Sequence, residues 1–331
     1  MLLFMKKELY KTKLGKMIVG DSIELYSSYL RQYYKNKVDL IITSPPFPLN
    51  TKKMYGNLTG ETYLKWFTDL APIFSDLLTD TGSLVIEIGN AWEPKRPIQS
   101  LLHLKSLLSL VENQAAGLRL IQEFIAYNPA KLPSPAQWVT INRIRTVDSY
   151  THVWWLAKSD FPKADNTKTL RPYSKSMKRL LKEKLYNSGK RPSEHNISSK
   201  GFSKNNGGSI AHNFFELESL DEDREVRLPH NVLSFANTSS NDHYLRTCRK
   251  RRITPHPARM NGGLVNFFIE FLTEENDLIF DPFAGSNTTG YCAERLNRRW
   301  LSIEANKKYA KSSLIRFENP SKISTPKRKK A

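Results

Sequence analysis

The sequence predicts an α/β fold with a doubly wound, mostly parallel sheet, on three observations. Val38-Asp39-Leu40-Ile41-Ile42-Thr43 is a β-branched apolar run halted by Ser44-Pro45-Pro46, because proline cannot donate to a strand ladder. Asp277-Leu278-Ile279-Phe280 is a second such run, and it leads into a turn of mostly small residues from Asp281 to Gly290. Around both runs, apolar residues recur at helical spacing, and strand-helix-strand alternation at these lengths packs helices onto a parallel sheet.

Taken in order, Met17-Ile18-Val19 is a first strand ending at Gly20-Asp21-Ser22, and the 38–43 run is the second. Leu64, Phe67, Phe74, Leu77 and Leu78 then hold a helical period, Asp80-Thr81-Gly82 closes it, and Ser83-Leu84-Val85-Ile86-Glu87-Ile88 is the next strand. From residue 128 the pattern changes. Pro129, Pro133 and Pro135 open a stretch with one aromatic strand, Tyr150 to Ala157, followed by a region without clear periodicity. The α/β pattern returns with a helix face of Leu264, Phe267, Phe268, Phe271 and Leu272, the 277–280 strand, a helix over 291–297 and the strand Trp300-Leu301-Ser302-Ile303, which ends at Glu304. The tail from Pro320 is basic and carries no core-forming pattern.

Composition narrows the function classes. Lys+Arg 51 against Asp+Glu 32 leaves the 331-residue chain at +19, a bias that favours polyanionic partners, nucleic acid first. Residues 158–204 hold thirteen Lys/Arg against four Asp/Glu, which places +9 of that charge in one stretch. Two cysteines, Cys248 and Cys292, are too few for a disulfide framework, a cysteine zinc module or an iron-sulfur site, and they point to a reducing compartment. The apolar run at Met1 to Met5 is too short for a signal-peptide core, and no window approaches the roughly 18 apolar residues of a membrane span. A cytoplasmic protein with no membrane partner and no bound metal is expected.

Two constellations carry chemistry. The strand, turn and helix start over 281–290 let backbone N–H groups and small side chains approach a ligand closely. The spacing of Gly285 and Gly290 imitates a nucleotide-triphosphate loop, but Tyr291-Cys292 stands where Lys-Ser would follow. Gly-x-Gly-x-x-Gly is also absent. Glu304, at the end of the next strand, is placed where a carboxylate accepts from both hydroxyls of a ribose. In the second constellation, Ser44-Pro45-Pro46-Phe47, paired prolines stiffen the loop and leave carbonyls to accept hydrogen bonds, which suits an amino-group substrate. His152, His195, His212 and His243 read as solvent-facing or satisfied imidazoles; His256 is held open.

Together these residues resemble the S-adenosylmethionine-dependent amino-methyltransferases of DNA. The Pro-Pro motif precedes the cofactor motif with the recognition region between them, as in the β-class permutation. Residues 43–57, 128–138, 202–210, 256–259 and 285–290 look like the PvuII-type cytosine-N4 modification methyltransferases. The resemblance implies a Rossmann-like methyltransferase fold with an inserted target-recognition region. It also implies a cofactor site of Asp21, Asp281, Pro282, Phe283, Gly285, Ser286, Asn287, Thr288, Glu304 and His256, and a catalytic loop of Ser44, Pro45, Pro46 and Phe47. Here Met260-Asn261-Gly262 stands where relatives often have a Phe-Pro turn, which bears on His256 alone.

The implied activity is methyl transfer to the N4 amine of a cytosine flipped out of double-stranded DNA, protecting it in a restriction-modification system. A companion endonuclease is then expected, without a stable complex. Ser44 and the Pro45 carbonyl would accept the amine hydrogens and Phe47 would stack on the extruded ring. Neither cysteine stands in the Pro-Cys context of a covalent C5 mechanism. The alternatives are adenine-N6 methylation, for which Asp in place of Ser44 is the commoner choice, and a non-catalytic DNA-binding regulator. The expected organisation is a catalytic half over 1–127, a basic recognition region over 128–255, a cofactor-binding half over 256–318 and a tail over 319–331. Lys52, Lys53, Lys131, Lys178, Arg179, Lys182 and Lys204 are the expected DNA contacts.

Overall fold

Buried side chains alternate between two sides along the strands, and that alternation sets the architecture. A computed structural model describes residues 8–48, 58–129, 131–183, 188–198, 204–218, 233–236 and 242–318. The strands are β1 (Glu8–Lys11), β2 (Gly15–Val19), β3 (Val38–Thr43), β4 (Leu78–Ile88), β5 (Arg119–Tyr127), β6 (Tyr150–Ala157), β7 (Gly189–Lys190), β8 (Asn196–Ile197), β9 (Phe214–Glu218), β10 (Leu233–Ala236), β11 (Leu278–Asp281) and β12 (Arg299–Glu304). Among the described residues, one ten-stranded sheet has the order β1-β2-β12-β11-β3-β4-β6-β5-β9-β10, with β7 and β8 paired separately. The stretch β2-β12-β11-β3-β4 is parallel throughout, while β6 lies antiparallel to both its neighbours and β1 antiparallel to β2.

The helices are α1 (Ser22–Leu25), α2 (Arg31–Tyr34), α3 (Gly60–Leu77), α4 (Leu102–Val111), α5 (Lys175–Glu183), α6 (His243–Arg251), α7 (Gly262–Leu272), α8 (Thr288–Arg295) and α9 (Lys307–Ser313). Val38 and Ile41 of β3, Leu84 and Ile86 of β4 and Phe280 of β11 pack on one side with Phe67, Leu70 and Phe74 of α3. Leu40 and Ile42, Val85 and Ile279 face the other side, against Leu264, Phe268 and Leu272 of α7 and Ala293 of α8. A sheet covered on both faces favours strands that are apolar on both sides, hence the near-continuous apolar runs in the sequence.

Several boundaries differ from the sequence expectation. The Asp80-Thr81-Gly82 segment is no simple turn: β4 starts at Leu78, and the pairing jumps from Val38 with Leu78 to Leu40 with Ser83. Gly82 is required there, since a Cβ would stand 2.9 Å from the Val38 carbonyl oxygen. The helix expected over 291–297 is α8, which begins three residues earlier because Asn287, at φ 54°, caps it. The strand β5 has no clean alternation and is absent from the sequence reading. The stretch 128–255 is woven into the sheet through β6, β9 and β10. Lys52, Lys53 and residues 319–331 lie outside the described residues. No described helix is long and apolar enough to cross a membrane.

Candidate active site

Parallel strands bring their carboxyl ends to one edge, and the order of the sheet turns outward in both directions between β11 and β3. Crevices form at such switch points. A cavity of about 490 Å³ opens there, lined by Asp21 after β2, Glu304 of β12, Asp281 of β11, Ser44 after β3 and Glu87 of β4. Pairing of Phe280 with Ile41 sets Asp281 beside the end of β3.

Asp281 is buried and accepts three hydrogen bonds, from Thr43 Oγ1 (2.8 Å), Thr289 Oγ1 (2.7 Å) and the Phe283 N–H (3.1 Å). Burial nonetheless pushes its carboxyl up to about 6, with the nearby Glu304 adding to the rise and the three hydrogen bonds opposing it. Its carboxylate therefore ties the turn to β3 and α8. Glu304 is held by the N–H groups of Gly285 and Asn306, each at 2.8 Å, and burial raises its carboxyl above the usual range. Gly285 has φ +51°, and a Cβ on it would come within 3.0 Å of the His256 ring. His256 in turn packs edge-on against Tyr309, ring centroids 4.6 Å apart, and burial lowers its basicity.

The Pro-Pro loop is braced from behind. Tyr63 of α3 donates its hydroxyl to the Pro46 carbonyl at 2.8 Å, and a Cβ on Gly89 would stand 2.6 Å from the Phe47 ring. Asp21 caps α1 by accepting from Ile23 and Glu24 N–H groups, and Ser22 donates to the Pro282 carbonyl at 2.6 Å, joining the β2 and β11 loops.

Of the residues expected from sequence, Ser44, Pro45, Pro46, Phe47, Asp21, Asp281, Pro282, Phe283, Gly285, Ser286, Thr288, Glu304, His256 and Lys131 line the cavity. Asn287 lies beneath it, fully buried, with its Oδ1 accepting from Gly290 N–H (3.0 Å) and Ser302 Oγ (2.7 Å). Lys178, Arg179, Lys182 and Lys204 are exposed and outside the cavity. The basic stretch from 158 begins at the opposite edge of the sheet, where Lys163 pairs with Asp277 at 2.6 Å and Lys168 with Glu274.

Three participants escape the sequence reading. Glu87, its carboxyl raised by burial, lines the cavity and accepts from Thr151 Oγ1 at 3.1 Å; an acid inside a strand buried on both faces is the signal that marks it. Gly89 makes room for Phe47. Arg316 donates to the carbonyl and hydroxyl of Ser286 at 2.7 and 3.0 Å and lies 4.7 Å over the Tyr244 ring, a contact no local pattern announces.

A family model described as DNA methylase matches residues 38–315, most of the chain. The chain belongs to the DNA methylase family. This DNA methylase is 41% identical over 319 residues to the type II methyltransferase M.PvuII of Proteus hauseri, covering 96% of this chain and 88% of that protein. It is 23% identical over 307 residues to M.BglII of Bacillus subtilis, 90% and 68% covered. The solved PvuII DNA methyltransferase (cytosine-N4-specific) superposes with a TM-score of 0.71 at 33% identity over 96% of this chain and 91% of that one. A complex of M1.HpyAVI with SAM shares the fold, TM-score 0.52 at 17% identity, over 92% of this chain and 100% of that one. Both cysteines of this methylase are free and buried, and burial pushes the Cys292 thiol up to about 12, far from the thiolate that covalent cytosine chemistry requires.

Proposed function

We propose that this DNA methylase transfers the methyl group of S-adenosylmethionine to the exocyclic N4 amine of a cytosine extruded from double-stranded DNA, as the modification arm of a restriction system. The observation that carries the proposal is the meeting of the Ser44 loop and the 281–286 turn in one cavity, joined through Thr43 and Asp281. Similarity to a type II methyltransferase, and to a structure titled cytosine-N4-specific, supports the choice of base.

The residues fit the cofactor. Glu304, held by two N–H groups, offers its remaining lone pairs to a ribose diol, and Gly285 leaves open the space that a Cβ would fill. Asp21, Phe283, Ser286, Thr288 and His256 close the same end of the cavity. When bound, S-adenosylmethionine supplies an electrophilic methyl group on a sulfonium.

The amine of cytosine is a weak nucleophile because its lone pair is delocalised into the ring. The Ser44 hydroxyl and Pro45 carbonyl accept its hydrogens and draw the nitrogen toward tetrahedral geometry, which aims the lone pair outward. Methylation leaves the nitrogen with one proton too many, which departs through one of these two hydrogen bonds, and Glu87, the acid that lines the same cavity on the strand beside β3, is assigned as its final acceptor. Phe47 offers a face to the ring. The exposed Lys178, Arg179, Lys182 and Lys204 supply phosphate contacts, and the basic pair Lys52 and Lys53 in the chain after the Pro-Pro loop is assigned the same role. The work takes place in the cytoplasm, and the paired endonuclease cuts the same site when unmethylated without remaining bound to the methylase.

Sequencing DNA from a host expressing the chain, with detection of base modification, tests this directly. N4-methylcytosine at a fixed site is the expected result. N6-methyladenine overturns the choice of base, and unmodified DNA together with no transfer of labelled methyl groups overturns the activity.

A further inference from the structure

The connection between β5 and β6, residues 128–149, rises from the edge of the sheet that carries the cavity, since Tyr127 ends β5 there and Tyr150 begins β6. Asn128, Lys131, Ser149 and Tyr150 line the cavity wall. The excursion is braced. Asn128 N–H donates to the Ser149 carbonyl at 2.6 Å, Arg145 lies 4.0 Å over the Trp92 ring and donates to the Pro97 carbonyl at 2.8 Å, and Asn90 Nδ2 donates to Asp148 at 3.2 Å. It holds three Lys/Arg against one Asp.

Within it, Leu132 is 80% exposed, directly after the cavity-lining Lys131. An exposed leucine alone is ordinary; its setting is not. Pro133 follows, and a residue before proline is confined to extended backbone, so Leu132 is presented on a stiff segment. Phe161, 87% exposed, stands at the opposite edge of the sheet near Thr81 and serves as the contrast.

We propose that Leu132 is a wedge that enters the DNA stack beside the cavity and occupies the space left by the extruded cytosine. The inference rests on the methyltransferase reading above and assigns it a positioning residue. Extrusion breaks stacking on both sides of the target base and leaves a gap that water fills poorly. An apolar side chain inserted between base steps restores contact there and holds the open form, while neighbouring cations bind the backbone. Lys131 and Arg143 are the cations of the same excursion that its bracing contacts leave out.

The test uses the full-length chain and two duplexes carrying its methylation site, one intact and one with an abasic position opposite the target cytosine, so that the pair is already broken. Single-turnover transfer by Leu132→Ala should be slower than the parent by roughly tenfold to a hundredfold on the intact duplex. On the opened duplex it should approach the parent. Leu132→Met should recover most of the rate, Phe161→Ala should match the parent on both substrates, and affinity for S-adenosylmethionine should not change. An undiminished rate on the intact duplex overturns the wedge, as does an equal deficit on both duplexes or a loss of cofactor binding. A parent that methylates neither duplex overturns the functional reading and the wedge with it.

Discussion

Thr43 donates its hydroxyl to Asp281 at 2.8 Å across 238 residues of sequence, so one bond joins the loop proposed for the target base to the turn proposed for the cofactor. The acceptor sits at about 6 against an ordinary 3.8 because burial disfavours its charge. A carboxyl raised on folding stabilises the fold fully below the unfolded value, and that contribution disappears as pH rises through the folded one. Stability should therefore fall between about pH 4 and pH 6 by on the order of 2–3 kcal/mol from this group. Urea midpoints across that window check it: Asp281→Asn should lose the step, whereas a step of unchanged size would place its origin in Glu87 or Glu304.

Ser44→Ala should leave cofactor and DNA binding intact and slow methyl transfer by on the order of 10², the usual cost of a pre-organised polar contact that matters most as the amine rehybridises. Single-turnover rates with labelled cofactor measure this.

Gly89→Ala should act through Phe47. The new Cβ would meet the ring at 2.6 Å, so the ring must shift. A displacement of about an ångström in a positioning group can cost on the order of 10² in rate. Fluorescence of a base analogue at the target position should report weaker capture in Gly89→Ala and Phe47→Ala alike, with cofactor affinity by calorimetry equal to that of the parent.

Arg316 is almost fully buried and pairs with Asp242 at 3.6 Å while it holds Ser286. Arg316→Ala leaves that acid without its buried cation and should destabilise the fold by about 3 kcal/mol or more. It should also weaken cofactor binding. Arg316→Lys keeps the charge but not the two-pronged grip, so denaturation should show partial recovery of stability with cofactor affinity still reduced.

Neutralising Lys178, Arg179 and Lys182 on α5 should weaken binding to all DNA about equally and flatten the salt dependence, by up to about 0.9 in slope for each lost phosphate contact. Arg179 already pairs with Glu183 at 3.1 Å on its own exposed helix and should contribute least. A gel-shift titration with the parent slope would move the backbone contacts elsewhere, for instance to Lys131 and Arg143.

By itself the sequence determined the parallel-sheet architecture and the two loops of the site. Strands buried on both faces read as near-continuous apolar runs, so β3, β11 and β12 stand out locally, and each ends in a turn whose residues advertise their chemistry. Strands with one ambiguous face, such as β5 with its polar Arg119, Gln122 and Glu123, carry no such local mark and became legible only through their partners. Tertiary structure alone decided which groups share the cavity. Glu87, Gly89 and Arg316 each act on a residue far away in the chain, at Thr151, Phe47 and Ser286, and no periodicity records a contact made across such a separation. It also decided which cations remain open to DNA, because Lys163 and Lys168 are as basic in the sequence as Lys178 but are turned to Asp277 and Glu274 by the packing of their segment on α7. Charge is a property of the residue, whereas its availability depends on what the fold sets beside it.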